Sequence, residues 1–319
     1  MTPTEQSVTV VITTHDRGDD LLAAIESVRA QTHAQTEILV VDDGSNPPVV
    51  GLGPGVRLVT HQQSRGVCAA RNSGVAAARG HYVFFLDDDD TLPEDALVNS
   101  LVAIACSALP PPVAALGTMA VIDDNGVVLE HKRPPTFQRG SGWLFDARPP
   151  GRTLTVQNTL LVPRHVVQEI GGWNEELKAW VHDDFFLRLT RACSLQGCDE
   201  VTYHLLQPRA GRDHVSRRLS ARAASMERTL AAHQAAFDLH PRRQAKYLGT
   251  IAVTWLRVGD ARKARTAAWR SMRMDPRRPK ALGQLGLALG GARVYAAMSR
   301  ARDRVSAWRS GLRTGSQRT

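Results

Sequence analysis

The chain is poor in the residues that mark several common protein classes. Only four of its 319 residues are cysteine, and Cys193 and Cys198, five apart, lack the spacing of a zinc knuckle or a thioredoxin motif. A disulfide scaffold is therefore not indicated, and we expect the thiols to be free in a reducing compartment. Aromatic residues make up 5% of the chain. That is few for a protein that stacks nucleic-acid bases.

Long apolar runs are also missing. No stretch approaches the roughly 20 apolar residues that a membrane-spanning helix needs. Residues 1–17 lack the basic and then apolar segments of a signal peptide. We therefore expect a cytoplasmic protein, whose membrane contact would be peripheral, on the inner face of the plasma membrane.

The motifs of several nucleotide-binding and hydrolytic enzymes are absent. No glycine-rich loop ends in Lys-Ser or Lys-Thr, which argues against a nucleoside-triphosphate hydrolase. Gly51, Gly53 and Gly55 precede no predicted helix, so they form no dinucleotide fingerprint. Neither His-Glu-x-x-His nor Gly-x-Ser-x-Gly occurs, which argues against a zinc protease and an α/β-hydrolase.

The charge is divided unevenly along the chain. Residues 1–206 carry 15 Lys and Arg against 25 Asp and Glu, whereas residues 207–319 carry 25 against 6. An acidic first part and a basic second part indicate two different tasks. The basic part suits an anionic partner, such as a membrane surface or a polyanion.

Short apolar runs alternate with helical patterns in the first ninety residues. Strands are predicted at 8–12, 37–41, 56–60 and 82–86, and helices at 19–30 and 67–78. This order predicts an α/β fold with a mostly parallel sheet and helices on both faces. Further on, Thr91 and Glu94 fit a capping box that starts a helix, and Asp124-Asn125-Gly126 indicates a hairpin.

The sequence predicts three parts. Residues 1–215 would form the catalytic domain and residues 216–310 a basic all-α C-terminal region. Its helical patterns, with a turn at Gly259-Asp260, resemble a tetratricopeptide-type helix pair. Residues 311–319 are predicted to be disordered.

Polar residues follow three of the predicted strands. They are Thr13-Thr14-His15-Asp16, Asp42-Asp43 and the four consecutive aspartates 87–90. In a parallel sheet these strand ends lie along one edge, where ligands bind. Adjacent carboxylates repel each other by about 1 kcal/mol per pair, which a divalent cation would relieve. Because strand residues alternate in direction, Asp87 and Asp89 could hold Mg²⁺ or Mn²⁺.

At this point the chain resembles a known family, the family 2 glycosyltransferases, whose fold is the A-type nucleotide-sugar-binding fold. The resemblance covers roughly residues 7–215. It rests on VTVVITTHDR (8–17), ILVVDDGS (38–45), SRGVCAARNSGVAAARGHYVFFLDDDD (64–90), GGWNEEL (171–177) and HDDFFLRL (182–189).

The resemblance implies roles for the residues at the strand ends. Thr13, Asp42 and Asp43 would contact the nucleobase and ribose. Arg71 would pair with the diphosphate, and Asp88 would be another residue that binds the donor. A UDP-sugar is the favoured donor.

The resemblance also implies a metal site. Asp87 and Asp89 would be its Asp-x-Asp pair, with Asp89 the better-placed ligand, and His214 resembles a late histidine that contacts the metal or diphosphate. Separately, Trp143, Trp173 and Trp180 are candidates for stacking on a sugar face.

The general base is less clear, because the sequence departs from the family pattern. Relatives carry a Glu-Asp pair before an apolar helix that leads to Leu-Arg. Counted back from Leu187-Arg188, the slot falls on His182, and a shift of one or two residues would place Asp183 or Asp184 there. We rank Asp183 first, then Asp184, then His182.

Together these features predict an inverting, divalent-metal-dependent glycosyltransferase. The acceptor would be a hydroxyl of a glycan, a lipid-linked sugar or a natural product, and the 216–310 region would contact an anionic membrane surface. A nucleotidyltransferase is the alternative enzyme, although residues 13–16 lack its triphosphate loop. A basic nucleic-acid or scaffold protein is the alternative from another class.

Overall fold

The computed structural model describes residues 6–207, 219–277, 280 and 283–290, with the backbone alone at residues 18 and 19. The chain divides into two compact units, Met1–Arg212 and Asp213–Thr319. The predicted disorder of 311–319 and the predicted role of His214 fall outside the described residues.

The first unit alternates strands and helices. Its strands are β1 (Val8–Thr14), β2 (Thr36–Asp42), β3 (Val56–Thr60), β4 (Tyr82–Asp87), β5 (Val113–Ile122), β6 (Val128–Lys132), β7 (Leu160–Pro163) and β8 (Ser194–Leu206). Its α-helices are α1 (Gly18–Arg29), α2 (Val67–Ala77), α3 (Ala96–Ala105), α4 (Arg164–Glu169) and α5 (His182–Ala192). A short 3₁₀ helix, Gln157–Thr159, precedes β7.

The eight strands form one sheet in the order β3-β2-β1-β4-β7-β5-β6, with β8 paired to β5. Strands β1 to β4 pair in parallel, as do β5 and β8. Strand β7 is antiparallel to β4 and β5, and β6 is antiparallel to β5. The predicted mostly parallel α/β sheet is therefore confirmed at its centre, with antiparallel strands added beyond β4.

Helices pack on both faces of the sheet. Val10 and Ile12 of β1 share a buried cluster with Leu21 and other residues of α1 and α3. Val11 points to the opposite face, because strand residues alternate. There a Cβ added to Gly74 of α2 would lie 2.2 Å from Val11 Cγ1. Glycine at this position lets α2 lie close against the sheet.

The strand register gathers the polar strand ends at one edge. Thr13 of β1 lies opposite Val41 of β2 on one side and Asp87 of β4 on the other. Thr14 lies opposite Asp42. The prediction that these strand ends meet along one edge is confirmed. We call this edge, formed by residues 13–17, 42–45 and 87–90, the carboxyl-end rim.

Two local predictions had different outcomes. The hairpin is confirmed, because β5 and β6 are antiparallel and Asp123 Oδ1 accepts hydrogen bonds from the amides of Asn125 and Val127. The capping box is wrong. Thr91 exchanges backbone hydrogen bonds with His204 instead, and α3 begins five residues later, at Ala96.

The second unit is helical in its described residues. Its helices are α6 (Leu219–Ala232), α7 (Gln234–Asp238), α8 (Pro241–Val258) and α9 (Ala261–Met274), and residues 283–290 are also helical. Gly259 ends α8 at φ 96°, a left-handed conformation that favours glycine. The Asp260 side chain then accepts a 2.9 Å hydrogen bond from Lys263 N and caps α9. The resemblance of this pair to a tetratricopeptide repeat stays a prediction.

The structure also describes the cysteines and the length and polarity of the helices. All four cysteines are free thiols, with Cys106 exposed and the other three buried. In the part of the chain that the structure describes, no helix has the length and apolar character needed to cross a membrane.

Candidate functional site

The four consecutive aspartates divide into two pairs. Strand β4 ends at Asp87, and Asp88 and Asp89 form a turn. The side chains of Asp87 and Asp89 are 32% and 18% exposed, whereas Asp88 and Asp90 are buried. The pair predicted to face the ligand is therefore the accessible pair, although a turn rather than strand alternation brings this about.

The buried pair is held by protein donors. Asp88 accepts hydrogen bonds from Thr14 Oγ1 at 2.7 Å and from Arg17 Nη1 at 3.1 Å. Asp90 accepts from the Tyr203 hydroxyl at 2.7 Å and from Leu206 N at 2.9 Å. Burial raises the pKa of Asp88 to about 7 and raises the pKa of Asp90 well above its ordinary value.

The accessible pair is matched by two arginines. Arg17 Nη1 lies 2.6 Å from Asp89 Oδ2, and Arg71 Nη2 lies 2.9 Å from Asp87 Oδ1. Asn158 Nδ2 donates to the other oxygen of Asp87 at 3.0 Å. The raised pKa of each buried carboxyl group favours its neutral form, and with the two arginine cations this relieves the repulsion that the sequence predicted. Charge crowding alone therefore does not require a metal ion here.

The raised pKa of Asp88 predicts a pH dependence of stability. The folded state keeps this proton up to about pH 7, whereas an unfolded aspartate loses it near pH 4. The folded state therefore binds more protons in this interval, and stability falls as the pH rises through it. Asp88→Asn removes this loss, which is at most roughly 4 kcal/mol.

The measurement is urea unfolding of wild type and Asp88→Asn at several pH values between 4 and 8. The free energies of unfolding should diverge in favour of the variant as the pH rises. Parallel curves would show that Asp88 ionises in the folded state at its ordinary pKa. Asp90 is present in both proteins, so its own titration cancels in the comparison.

Arg71 joins the rim to the start of α5. It is buried, and its guanidinium carbon lies 4.6 Å from the centre of the Trp173 ring. Its Nη1 lies 3.4 Å from His182 Nε2. Burial and the Arg71 charge lower the pKa of His182 to about 3. The imidazole is thus neutral at physiological pH and is a weak base.

The two aspartates that follow His182 have different partners. Asp184 Oδ2 accepts from both Nε and Nη2 of Arg188, at 3.1 and 2.7 Å. Asp183 Oδ2 accepts from Trp180 Nε1 at 2.6 Å. Because the side chains of successive helix residues point about 100° apart, Asp183 and Asp184 face different surroundings. Asp184 is engaged in a structural ion pair, and Asp183 lies beside an exposed indole.

The two aspartates after β2 are engaged inside the protein. Asp43 accepts four hydrogen bonds, from His61 Nδ1, Ser64 Oγ, Arg65 N and Gly66 N, at 2.7 to 2.9 Å. The buried carboxylate of Asp42 accepts from the backbone amides of residues 45 and 49. These bonds organise the two loops that border the rim. The nucleotide contacts expected of Thr13, Asp42 and Asp43 stay predictions.

Sequence reasoning missed several residues of this site. Arg17 lies three residues after the last residue of β1, so its position near a strand end was a usable signal. Asn158, Tyr203 and His61 gave none, because β7, β8 and β3 bring them to the rim from distant parts of the chain. His61 also links Asp43 to α2 through Ser73 Oγ, 2.9 Å from its Nε2.

The donor atoms of the accessible pair fit Mg²⁺ or Mn²⁺. Both ions favour carboxylate oxygens and leave positions for phosphate oxygens. Asp87 and Asp89 are close in the chain and partly exposed, as such a site requires. Within the described residues, however, no group of three or more His, Cys, Asp or Glu side chains could hold a metal ion. A ligand would have to complete the coordination shell.

Comparison with known proteins finds a family match for the first part of the chain. The family model described as glycosyl transferase family 2 matches residues 9–153. These residues include β2 to β6, all of β1 except Val8, and the whole carboxyl-end rim. This part of the chain is therefore a glycosyltransferase family 2 domain.

Two of the similar proteins are named for succinoglycan and O-antigen biosynthesis. The succinoglycan biosynthesis protein ExoO of Rhizobium meliloti is 41% identical over 95 residues, which cover 28% of this chain and 27% of that protein. The O-antigen biosynthesis protein RfbC of Myxococcus xanthus is 30% identical over 250 residues, which cover 75% of this chain and 18% of that protein. The chain thus spans about a quarter or less of the length of these two relatives.

Solved structures show the same fold. S. aureus TarS matches with a TM-score of 0.51 and 14% identity, covering 88% of this chain and 54% of that one. TarS 1-349, crystallised in complex with UDP, matches with a TM-score of 0.50 and 14% identity, covering 84% of this chain and 88% of that one.

Proposed function

We propose that the protein transfers a sugar from a nucleoside-diphosphate donor to an acceptor hydroxyl, with inversion and with help from a divalent metal. One observation carries the proposal. In a family 2 chain, two accessible carboxylates, Asp87 and Asp89, lie with two arginines at the carboxyl ends of parallel strands. Open sheets of this kind bind ligands at that edge. UDP, which TarS binds in its crystal structure, is the nucleotide to test first.

The residues of the rim have distinct roles in this proposal. Asp87 and Asp89 would hold Mg²⁺ or Mn²⁺, with Asp88 and Asp90 fixing the turn beneath them. The metal, when bound, neutralises the charge of the departing nucleoside diphosphate. Arg71 is placed to pair with the same diphosphate, since its guanidinium already lies against Asp87.

Asp183 is the general base in this proposal. A sugar hydroxyl is a poor nucleophile, and a carboxylate beside it can take its proton as it attacks the anomeric carbon. Asp184 is paired with Arg188, and His182 is a weak base beside Arg71. Direct attack from the side opposite the leaving group inverts the anomeric centre, whereas retaining enzymes react in two steps.

The finer parts of the proposal concern the acceptor. Two relatives are named for succinoglycan and O-antigen biosynthesis, so we infer a growing cell-envelope glycan, free or lipid-linked. Helix α9 carries five basic residues and no acidic residue. The second unit therefore suits an anionic acceptor or an anionic membrane surface.

Calorimetry tests the donor site. We expect UDP, among a panel of nucleoside diphosphates, to bind in the presence of Mn²⁺ and to bind at least tenfold more weakly without it. Asp89→Asn should abolish the effect of Mn²⁺, because it removes a charged oxygen ligand and keeps the side-chain size. Asp124→Asn, at an exposed aspartate of the β5–β6 turn, is the control and should bind like wild type. Failure of every nucleotide to bind would refute the proposed function.

A further inference from the structure

Trp180 has an unusual backbone conformation beside the proposed base. Its φ is +56°, and Asp16 is the other non-glycine residue with positive φ among those the structure describes. Aspartate tolerates this conformation well, whereas a bulky aromatic residue is a clear outlier. Residues held in such strained conformations are concentrated at active sites and ligand clamps.

The same side chain is partly exposed. Of the three tryptophans that the sequence offered as sugar platforms, Trp143 is fully buried and Trp173 is 3% exposed. Trp180 is 37% exposed. The first two cannot offer a ring face to a ligand, because core residues cover them. Only Trp180 of these three has indole surface to offer.

A hydrogen bond fixes the orientation of this indole. Trp180 Nε1 donates to Asp183 Oδ2 at 2.6 Å, across one turn of chain. A charged acceptor makes this a strong bond. The fold therefore strains the backbone, exposes an aromatic ring and anchors it to the proposed base.

Contacts of the next residues connect this ring to the donor site. His182 lies two positions after Trp180, and its Nε2 is 3.4 Å from Arg71 Nη1. Arg71 in turn lies 2.9 Å from Asp87. Trp180 and Asp183 are thus at the start of α5, next to the residues that would hold the donor diphosphate.

We propose that the Trp180 indole is the platform on which a pyranose ring of the acceptor glycan stacks, next to Asp183. This inference rests on the proposed function and names its acceptor subsite. The apolar C–H face of a pyranose is flat enough to cover an indole, whose rigid ring gives a large contact area. A ring stacked there has its hydroxyls beside Asp183, which the indole N–H holds in place.

Two substitutions separate the ring from the backbone strain. Trp180→Gly removes the platform and places at φ +56° the residue that adopts this conformation at little cost. Relief of strain should offset the lost packing, so the melting temperature should stay within about 3 °C of wild type. Trp180→Phe keeps a ring and removes the N–H donor. Trp269→Ala, at an exposed tryptophan of α9, is the control for adventitious aromatic stacking.

Saturation-transfer NMR with p-nitrophenyl glucoside, galactoside and N-acetylglucosaminide, recorded with UDP and Mn²⁺ present, measures acceptor binding. We expect at least one glycoside to bind wild type and Trp269→Ala equally. Its affinity should fall at least tenfold in Trp180→Gly and less than threefold in Trp180→Phe. UDP affinity, measured by calorimetry, should change less than twofold in all three variants.

Three results would overturn the assignment. Unchanged glycoside binding by Trp180→Gly would show that the ring contributes nothing. A loss of UDP affinity in that variant would place the nucleobase, not the acceptor, on the indole. If the wild-type protein binds UDP but none of the glycosides, the platform is also rejected, whereas the donor site is not. Absence of binding by every nucleoside diphosphate would instead refute the proposed function itself.

Discussion

Replacing Asp183 with asparagine is expected to lower the rate of sugar transfer by about 10²- to 10⁴-fold, the usual contribution of a general base. Asparagine keeps the size of the side chain and an oxygen that can still accept from Trp180 Nε1. The fold and the donor site should therefore be preserved. The measurement compares kcat for transfer with the affinity for UDP. A small fall in kcat, or an equal loss of UDP affinity, would contradict the assignment.

Asp184→Asn is the matched control for this prediction. The residue is adjacent and also buried, but it shares its carboxylate oxygen with two nitrogens of Arg188. Loss of its charge leaves a partly buried guanidinium without its ion-pair partner, so stability should fall by roughly 1–3 kcal/mol. Activity per folded molecule should fall far less than in Asp183→Asn. If the two effects are reversed, Asp184 is the base.

The largest loss of stability is expected from Gly44→Ala. Gly44 has φ +75°, and a Cβ there would lie 2.6 Å from the backbone carbon of Gln63 and 2.7 Å from Ser64 N. Real Cβ atoms do not approach backbone this closely, so one of the two loops must move. The change should lower the free energy of unfolding by about 3 kcal/mol or more, measured in urea. It should also weaken nucleotide binding, because both loops are tied to Asp43.

Gly55→Ala separates the cost of the left-handed backbone conformation from the cost of the close contact between loops. Its φ is +78°, close to that of Gly44, but no atom of the described residues lies within 4 Å of an added Cβ. The expected cost is therefore only the conformational one, about 1 kcal/mol. A similar loss in both variants would mean that the close approach of the loops at Gly44 adds nothing.

Local sequence patterns were sufficient for the first half of the sheet. Strand β3 begins and ends where the apolar run 56–60 predicted, and β1, β2 and β4 differ by one or two residues at their ends. Strands β1, β2 and β4 are mostly buried apolar runs, and β3 is a partly exposed strand at the edge of the sheet. All four lie between polar turns, so their boundaries are set by neighbours in the chain. The helices between β1 and β2 and between β3 and β4 then indicated a parallel sheet, although β2 and β3 are joined by a loop.

The antiparallel strands and the false cap show where local patterns fail. Thr91 had the residue type of an N-cap, but its backbone pairs with His204, more than 100 residues away. The pairing of β5 with β8, and of β7 with β4, likewise joins distant segments. A contact of that kind leaves no periodic signal in either segment.

The sequence predicted which residue types form the candidate site, but not the hydrogen bonds that each of them makes. The rim and its acidic residues followed from strand ends. What could not be foreseen was the division of the aspartates, because Arg17, Tyr203 and Thr14 decide which carboxylates are covered. The same holds for Asp43, whose four donors come from residues 61–66.

Strand β8, the parallel partner of β5, affects the order in which the first unit can fold during synthesis. Val113 to Ile122 pair with residues 194–206, so a nascent chain cannot finish its sheet until the ribosome has released about eighty further residues. The stretch that matches the family model stops at 153, before that partner exists. Until Tyr203 is made, the carboxyl group of Asp90 has no hydroxyl donor beside it, so this part of the rim is completed only when β8 is present.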